Sequence, residues 1–333
     1  MTQMTLGDLT QSKLFGHRNA TLKDSITNLS TEVTTGLTAK TTQAVRGDYS
    51  MLSGIEASLT QLASFKRVAS ETGAMANHMQ LALTSISNSG SALSISLLSA
   101  STNNSPTRIN VVAADADQRL QAALAALNTK FGGNSVFAGT ATDHSAVTDA
   151  DTMMTALQGA ITGAVSASDI GTAVDVWFAD PAGYGATVYQ GGAAQGSVDI
   201  SPDQRVQLGV TAKDPAIAAM LKGMAIATLL QRGALAGDDA SRADLAKRAG
   251  EALARANVPF VELMARLGTA EATIISAGVR NEAEKTSLET ARLSLLSVDP
   301  YEAASKLQEA QTQLETLYSV TARMARLSLV NSL

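Results

Sequence analysis

His17, His78 and His144 are the side chains best suited to bind a metal or relay a proton, and they stand far apart with no shared interval. Metal ligands come in clusters at short spacing, so these three read as solvated histidines. Asp143-His144-Ser145 sets the residue types of a hydrolytic triad side by side. A triad gathers its members from separate elements, because sequence neighbours point in different directions; the tripeptide reads as a polar loop. Neither a G-x-S-x-G elbow nor a phosphate-binding loop occurs, and Gly223–Gly233 lacks both the lysine and the preceding strand of the latter. Asp238-Asp239 falls at a helix start, where the dipole favours negative charge. Glu282–Glu284 belongs to the mixed-charge run Arg280–Lys285, which reads as a solvated helical face. Arg46-Gly47-Asp48 spells an adhesion tripeptide, but three residues match by chance often. With no catalytic, cofactor-binding or metal site in this inventory, the chain reads as a non-enzyme.

The composition narrows the partners. There is no cysteine, which excludes disulfides and thiolate metal sites. A net charge of −5, with 25 basic residues scattered among 30 acidic ones, argues against nucleic acid and anionic membranes. No apolar stretch follows a basic segment at the N-terminus, so no ordinary secretory signal is expected. The apolar run around Ala216–Leu230 is interrupted by Lys222 and Gly223 and is too short to span a bilayer. An aromatic share of only 4% suits closely packed helices better than a bulky globular core.

Apolar periodicity then places the elements. A first helix is predicted over Leu6–Thr34, ending at Thr35-Gly36, and a longer one over Ser50–Ser99. The seam of the second is Phe65, Ala69, Thr72, Ala76, Met79, Leu83, Ile86, Leu93 and Leu97, the core of a helical bundle. An Ala-rich helix follows over Val111–Lys130. From Phe131-Gly132-Gly133 to Asp214 the chain becomes Gly-rich, with a helix near Asp149–Ala164. Val174–Phe178, Ala186–Tyr189, Ser197–Ile200 and Arg205–Val210 read there as short strands separated by turn residues. Helical periodicity returns over Pro215–Leu235. It continues after Gly237-Asp238-Asp239 to about Ser297, with a kink expected at Pro259, and restarts at Asp299-Pro300.

Both ends carry a narrow apolar seam. It comprises Phe15, Leu22, Ile26, Leu29 and Val33 at one end, and Ala303, Leu307, Ala310, Leu314, Leu317, Thr321 and Met324 at the other. Such a seam is stable only against another helix, and chain ends ordinarily look polar. Leu327, Leu329, Val330 and Leu333 carry the apolar character to the last residue. The expected architecture is mainly α. Residues 1–40 and 296–333 form a terminal coiled coil, 41–132 and 215–295 a helical rod, and 133–214 a small α+β insertion. The expected interface is Phe15, Leu22, Ile26, Leu29, Val33, Leu307, Leu314, Leu317, Met324, Leu327, Leu329 and Leu333.

Ser297-Val298-Asp299-Pro300-Tyr301-Glu302-Ala303-Ala304, followed by Leu307 and Leu314, and the ending Arg326–Leu333 resemble the entry and final run of the last helix in the flagellin superfamily, and within it in the hook-associated junction proteins. Ala265-Arg266-Leu267-Gly268 with Glu271 resembles the segment leading into its long C-terminal helix. Leu29–Leu37 falls where the family has a Leu-Ser-x-Gly turn. Asn134-Ser135-Val136-Phe137-Ala138-Gly139 resembles a Phe-x-Gly exit from the helical domain. Tyr189-Gln190-Gly191-Gly192 with Val198, Ile200, Val206 and Gly209 resembles a Tyr-x-Gly hairpin; flagellins proper usually lack this pair. After Gly36 the family's paired acidic residues are missing, with Arg46-Gly47-Asp48 roughly in their place.

The resemblance implies a structural protein that leaves the cell unfolded through the flagellar type III export channel, gripped beforehand by an export chaperone. Outside, it implies a ring between the hook-side junction protein and flagellin, with no cofactor. A flagellin-type filament subunit is the alternative, and an injectisome tip protein a more distant one.

Overall fold

A computed structural model of the chain describes residues 6–102 and 105–330. Along the sequence these form α1 (Leu6–Thr35), α2 (Thr41–Ala44), α3 (Ser50–Thr102), α4 (Pro106–Leu127), β1 (Lys130–Phe131), β2 (Asn134–Ser135), α5 (Ala150–Ala160), α6 (Ala167–Ala179) and α7 (Tyr184–Thr187). There follow β3 (Val198–Ser201), β4 (Gln204–Val206), α8 (Pro215–Gln231), α9 (Asp239–Leu296) and α10 (Pro300–Val330). The fold is mainly helical with two small antiparallel sheets, β1–β2 and β3–β4. The chain divides into two units, Ser64–Asn281 and Met1–Ala63 with Glu282–Leu333.

The core of Ser64–Asn281 is built around α8. Its buried residues lie all round the helix, from Ile217, Met220 and Leu221 to Leu229 and Leu230, which is the signature of a central helix rather than a surface one. The predicted α3 seam supplies Met79, Leu83, Ile86, Leu93 and Leu97, all buried, while Phe65 and Thr72 stay half-buried. Among the described residues α3, not Ala216–Leu230, is the helix long and apolar enough to cross a bilayer. The core nevertheless takes up Met79, Leu83, Ile86, Leu93 and Leu97 from it. Helices approach closely where glycine allows it. Ser94 Oγ donates to the Gly250 carbonyl at 2.8 Å, and a Cβ on Gly250 would lie 2.9 Å from Leu98 Cγ.

Arg242 is the least expected member of this core. It is 9% exposed, and its guanidinium donates to the Ala234 carbonyl at 2.9 Å, the Leu230 carbonyl at 3.2 Å and Asn110 Oδ1 at 2.8 Å. The cation therefore finishes the C-terminal end of α8, whose last carbonyls have no helical partners, and ties it to α4 and α9. Arg242→Met keeps the volume but removes all three hydrogen bonds, of which the one to the Leu230 carbonyl is buried. We expect it to cost about 2–4 kcal/mol, read as a lowered urea midpoint for this unit.

Aspartates start the helices as their positions suggest. Asp149 accepts from Thr152 N at 2.8 Å and Asp238 from Ser241 N at 3.0 Å. Hydrogen bonds from Thr152 hold the Asp149 carboxyl below the usual carboxylate range, and those from Ser241 do the same for Asp238. A carboxyl depressed by folding adds stability at pH above its ordinary value, about 3.9, and that stability is lost as pH falls through the folded value. Melting temperature should therefore fall between pH 5 and pH 3. Asp149→Asn with Asp238→Asn should match the parent near pH 7, because asparagine also caps, and should show a shallower acid slope in thermal melts.

Two of the four expected strands are absent. Val174–Phe178 lies inside α6, which a reciprocal capping box begins: Ser166 Oγ accepts from Asp169 N, and Asp169 Oδ2 from Ser166 N, each at 3.1 Å. Ala186–Tyr189 is the end of α7 and a single bridged residue, Tyr189 opposite Val147. Ser197–Ile200 and Arg205–Val210 overlap the β3–β4 hairpin, whose Ile200 and Val206 pack on Ala69, Ile274 and Ala277. The hairpin is tied to α9 by Asn281 Nδ2, which donates to the Ile200 carbonyl at 2.8 Å, and by an Arg280–Gln204 hydrogen bond. Helix α9 runs on through Pro259, where a kink was expected.

The two insertion motifs meet. Gly192 N donates to the Ala138 carbonyl at 2.9 Å, Thr140 N to the Ala193 carbonyl at 2.8 Å, and Tyr189 Oη to the Gly192 carbonyl at 2.6 Å. Phe137 is fully buried beside this exchange. Gly139 takes φ +60°, and a Cβ there would stand 2.2 Å from the Ala193 carbonyl oxygen.

Candidate assembly interface

Helices α1 and α10 pack along each other in the unit formed by the chain ends. Their approach is set first by backbone. Gly36, at φ +70°, ends α1. The Thr38 N–H then donates to the Leu296 carbonyl at 2.9 Å, and the Val298 N–H to the Gly36 carbonyl at 3.0 Å, around an antiparallel Leu37–Ser297 bridge. Asp299 Oδ1 accepts from Tyr301 N at 2.8 Å and starts α10 beside the end of α1. The two helices therefore run antiparallel. Glu32 Oε1 secures the turn by accepting from Ala39 N at 2.9 Å. On α10, a hydrogen bond to Glu302 raises the Lys306 ammonium above its ordinary range, with Glu32 a smaller contributor from across the pair.

The predicted seam residues occupy this contact incompletely. Phe15, Leu22, Ile26, Leu29 and Val33 of α1 are half-buried, as are Leu307, Leu314, Leu317 and Met324 of α10. Among the seam residues whose burial is described, the buried ones are the alanines, Ala303 at 3% and Ala310 at 7% exposure, while Thr321 is exposed. Leu327 and Leu329 lie on the last turns of α10, and Leu333 lies outside the described residues. Leu14 remains 53% exposed and Val320 39%. Between the helices runs a groove of about 870 Å³, floored by Phe15, Leu22 and Leu317 and edged by His17, Arg18 and Glu309. Two helices side by side cover only the facing half of each seam; the other half needs a further helix.

The candidate chemical residues stay dispersed. His17 and His144 are exposed, and His78 is half-buried against Phe131, ring centres 5.2 Å apart. Asp143 and His144 approach to 3.4 Å on the surface. Among the described residues no group of three His, Asp or Glu is placed to hold a metal ion.

Residues 251–333 match the sequence model of the bacterial flagellin C-terminal helical region. This end of the chain is similar to that region. The matched stretch begins inside α9 and takes in the Ser297 bridge and all of α10, so one of the two paired helices lies within it; α1 joins that helix by packing. A solved structure of a candidate flagellar hook-associated protein from Vibrio parahaemolyticus is similar over 74% of this chain and 98% of that one, with a TM-score of 0.50 and 11% identity. That likeness is one of fold. No curated protein matches the sequence significantly. The match to the flagellin sequence model is confined to residues 251–333.

Proposed function

We propose that this protein is a non-enzymatic structural subunit of the bacterial flagellum that joins the hook to the flagellin filament. The observation that carries the reading is the α1–α10 pair: an antiparallel helix pair whose large seam residues stay half-buried, with Phe15, Leu22 and Leu317 lining an apolar groove. The flagellin region supports it from sequence. In the unassembled protein each terminal helix has one partner where its seam has room for more. Neighbouring copies in a ring supply the rest, as do the hook-side junction protein and flagellin. The chain reaches this place outside the cell by flagellar type III export, held beforehand by an export chaperone. In this reading residues 1–40 and 296–333 assemble, 41–132 and 215–295 form the rod, and 133–214 are the insertion.

A flagellin-type filament subunit is the second reading, favoured by the same flagellin region. Sedimentation of the purified protein, alone and with flagellin seeds or hook-basal bodies, separates the two. The adaptor remains unpolymerised alone and joins the hook end; unaided growth of long filaments would establish the subunit reading instead.

A further inference from the structure

The β3–β4 hairpin stands on a small core of its own. On α3 the buried residues of the main core begin at Ala76, and on α9 they end at Leu267. Past those points lies a second cluster, in which Ile200 and Val206 of the hairpin pack on Ala69, Ile274 and Ala277. Half-buried Leu208 touches both clusters.

Along this stretch α3 and α9 offer each other little. Between residues 64 and 73 the buried residue of α3 is Ala69; between 270 and 281 those of α9 are Ile274, Ala277 and Asn281. The large side chain among them, Ile274, lies against Gly73, where a Cβ would stand 3.4 Å from Ile274 Cγ2. Ile200 and Val206 therefore complete the cover over Ala69, Ile274 and Ala277. The hairpin needs the helices in return, because two strands alone are marginal in water and its register is broken between Asp199 and Ser201. Its buried polar anchor is Asn281, 4% exposed, whose Nδ2 donates to the Ile200 carbonyl at 2.8 Å. An Arg280–Gln204 hydrogen bond adds a tie at the surface.

The arms of the hairpin join the main core at narrow roots. On one side the Ala193 carbonyl accepts from Thr140 N at 2.8 Å, and Gln195 Nε2 donates to the Gly139 carbonyl at 3.0 Å. On the other, Val210 is buried in the main core and Ala212 N donates to the Phe137 carbonyl at 3.0 Å. Gln207 Nε2 ties the arms together by donating to the Gln195 carbonyl at 3.1 Å. Each arm carries a glycine near its root: Gly209 at φ +59°, and Gly196, where a Cβ would meet nothing within 4 Å. Glycine lets the backbone turn there at little steric cost. We infer that residues 193–209 are a hinged strap, which lifts from α3 and α9 and uncovers Ala69, Ile274 and Ala277 while the main core stays closed.

The chain has no cysteine, so single-cysteine variants of the full-length protein report the lifting by their reaction with a maleimide. Two fully buried alanines of the same helix make the comparison: Ala277 under the strap and Ala249 in the main core. Ala277→Cys should react measurably while Ala249→Cys stays protected. Adding Asn281→Ala removes the buried anchor and should speed labelling of Ala277→Cys about tenfold or more, with Ala249→Cys unchanged. Alanine is the better helix former, so a weakened α9 would not account for that acceleration. In the protein without cysteine, hydrogen exchange read by mass spectrometry should show the amides of residues 198–206 speeding up by a similar factor on Asn281→Ala, and those of α8 not at all. Equal acceleration at Ala249→Cys or in α8 would make the hairpin part of the main core and overturn the strap. So would hairpin amides that speed up while Ala277→Cys does not, or no response in either.

Discussion

Full-length protein carrying Leu314→Asp and Leu317→Asp is expected to keep Ser64–Asn281 folded and to lose incorporation at the hook end. Both leucines sit half-buried on α10, Leu317 in the wall of the groove and Leu314 one turn before it, where a neighbouring helix would finish covering them. Full burial of one leucine is worth about 1.5–3 kcal/mol, and an unpaired carboxylate in the same place costs several more. The double change thus removes on the order of 5 kcal/mol or more from each contact, enough to suppress binding by over a thousandfold. Pelleting with hook-basal bodies reads incorporation, and near-UV circular dichroism from Trp177 reads the unit that must stay intact. Loss of the Trp177 signal would show that the ends are part of one fold rather than an assembly device.

Gly139→Val is expected to act in the opposite place, unfolding the insertion while leaving the terminal helices untouched. The new Cβ would meet the Ala193 carbonyl oxygen at 2.2 Å, and a β-branched residue at φ +60° is strained even in open space. The obstacle is backbone, held by hydrogen bonds from Thr140 to Ala193 and from Gly192 to Ala138, so it cannot rotate away. We expect a loss of about 3 kcal/mol or more. It would show as a large drop in the melting temperature of Ser64–Asn281 and exposure of buried Tyr184 to solvent. An unchanged melt would mean that the Phe137–Gly139 and Tyr189–Gly192 segments do not hold each other.

The long helices are legible in the sequence because their signal is redundant: a heptad series over dozens of residues survives any single exception, such as Pro259 within α9. The short strands are not legible. Val174, Val176, Trp177 and Phe178 have the composition of a strand, yet tertiary packing and the Ser166–Asp169 capping box make them helix. The box was present in the sequence as Ser-x-x-Asp and outweighs β-propensity, which is the more context-dependent of the two. At the terminal seam the spacing ranks the residues by size. The structure ranks them by closeness, burying Ala303 and Ala310 and leaving the leucines half-open. Arg242 carries no warning in sequence at all. Its burial follows from where α8 stops, and only a three-dimensional arrangement places carbonyls from Leu230 and Ala234 around one guanidinium.

The Leu37–Ser297 bridge has a consequence for the order of folding. It joins segments about 260 residues apart, so closing it in an otherwise disordered chain costs about 5 kcal/mol of loop entropy. The contacts nearest in sequence to the bridge, along α1 and α10, are too exposed to offset that cost early. Once Ser64–Asn281 has condensed, with Ala69 of α3 packed beside Ile274 and Ala277 of α9, only the segments 37–64 and 281–297 remain to be closed, and much of the penalty disappears. The terminal pair is therefore expected to form last and to exchange its amide hydrogens first.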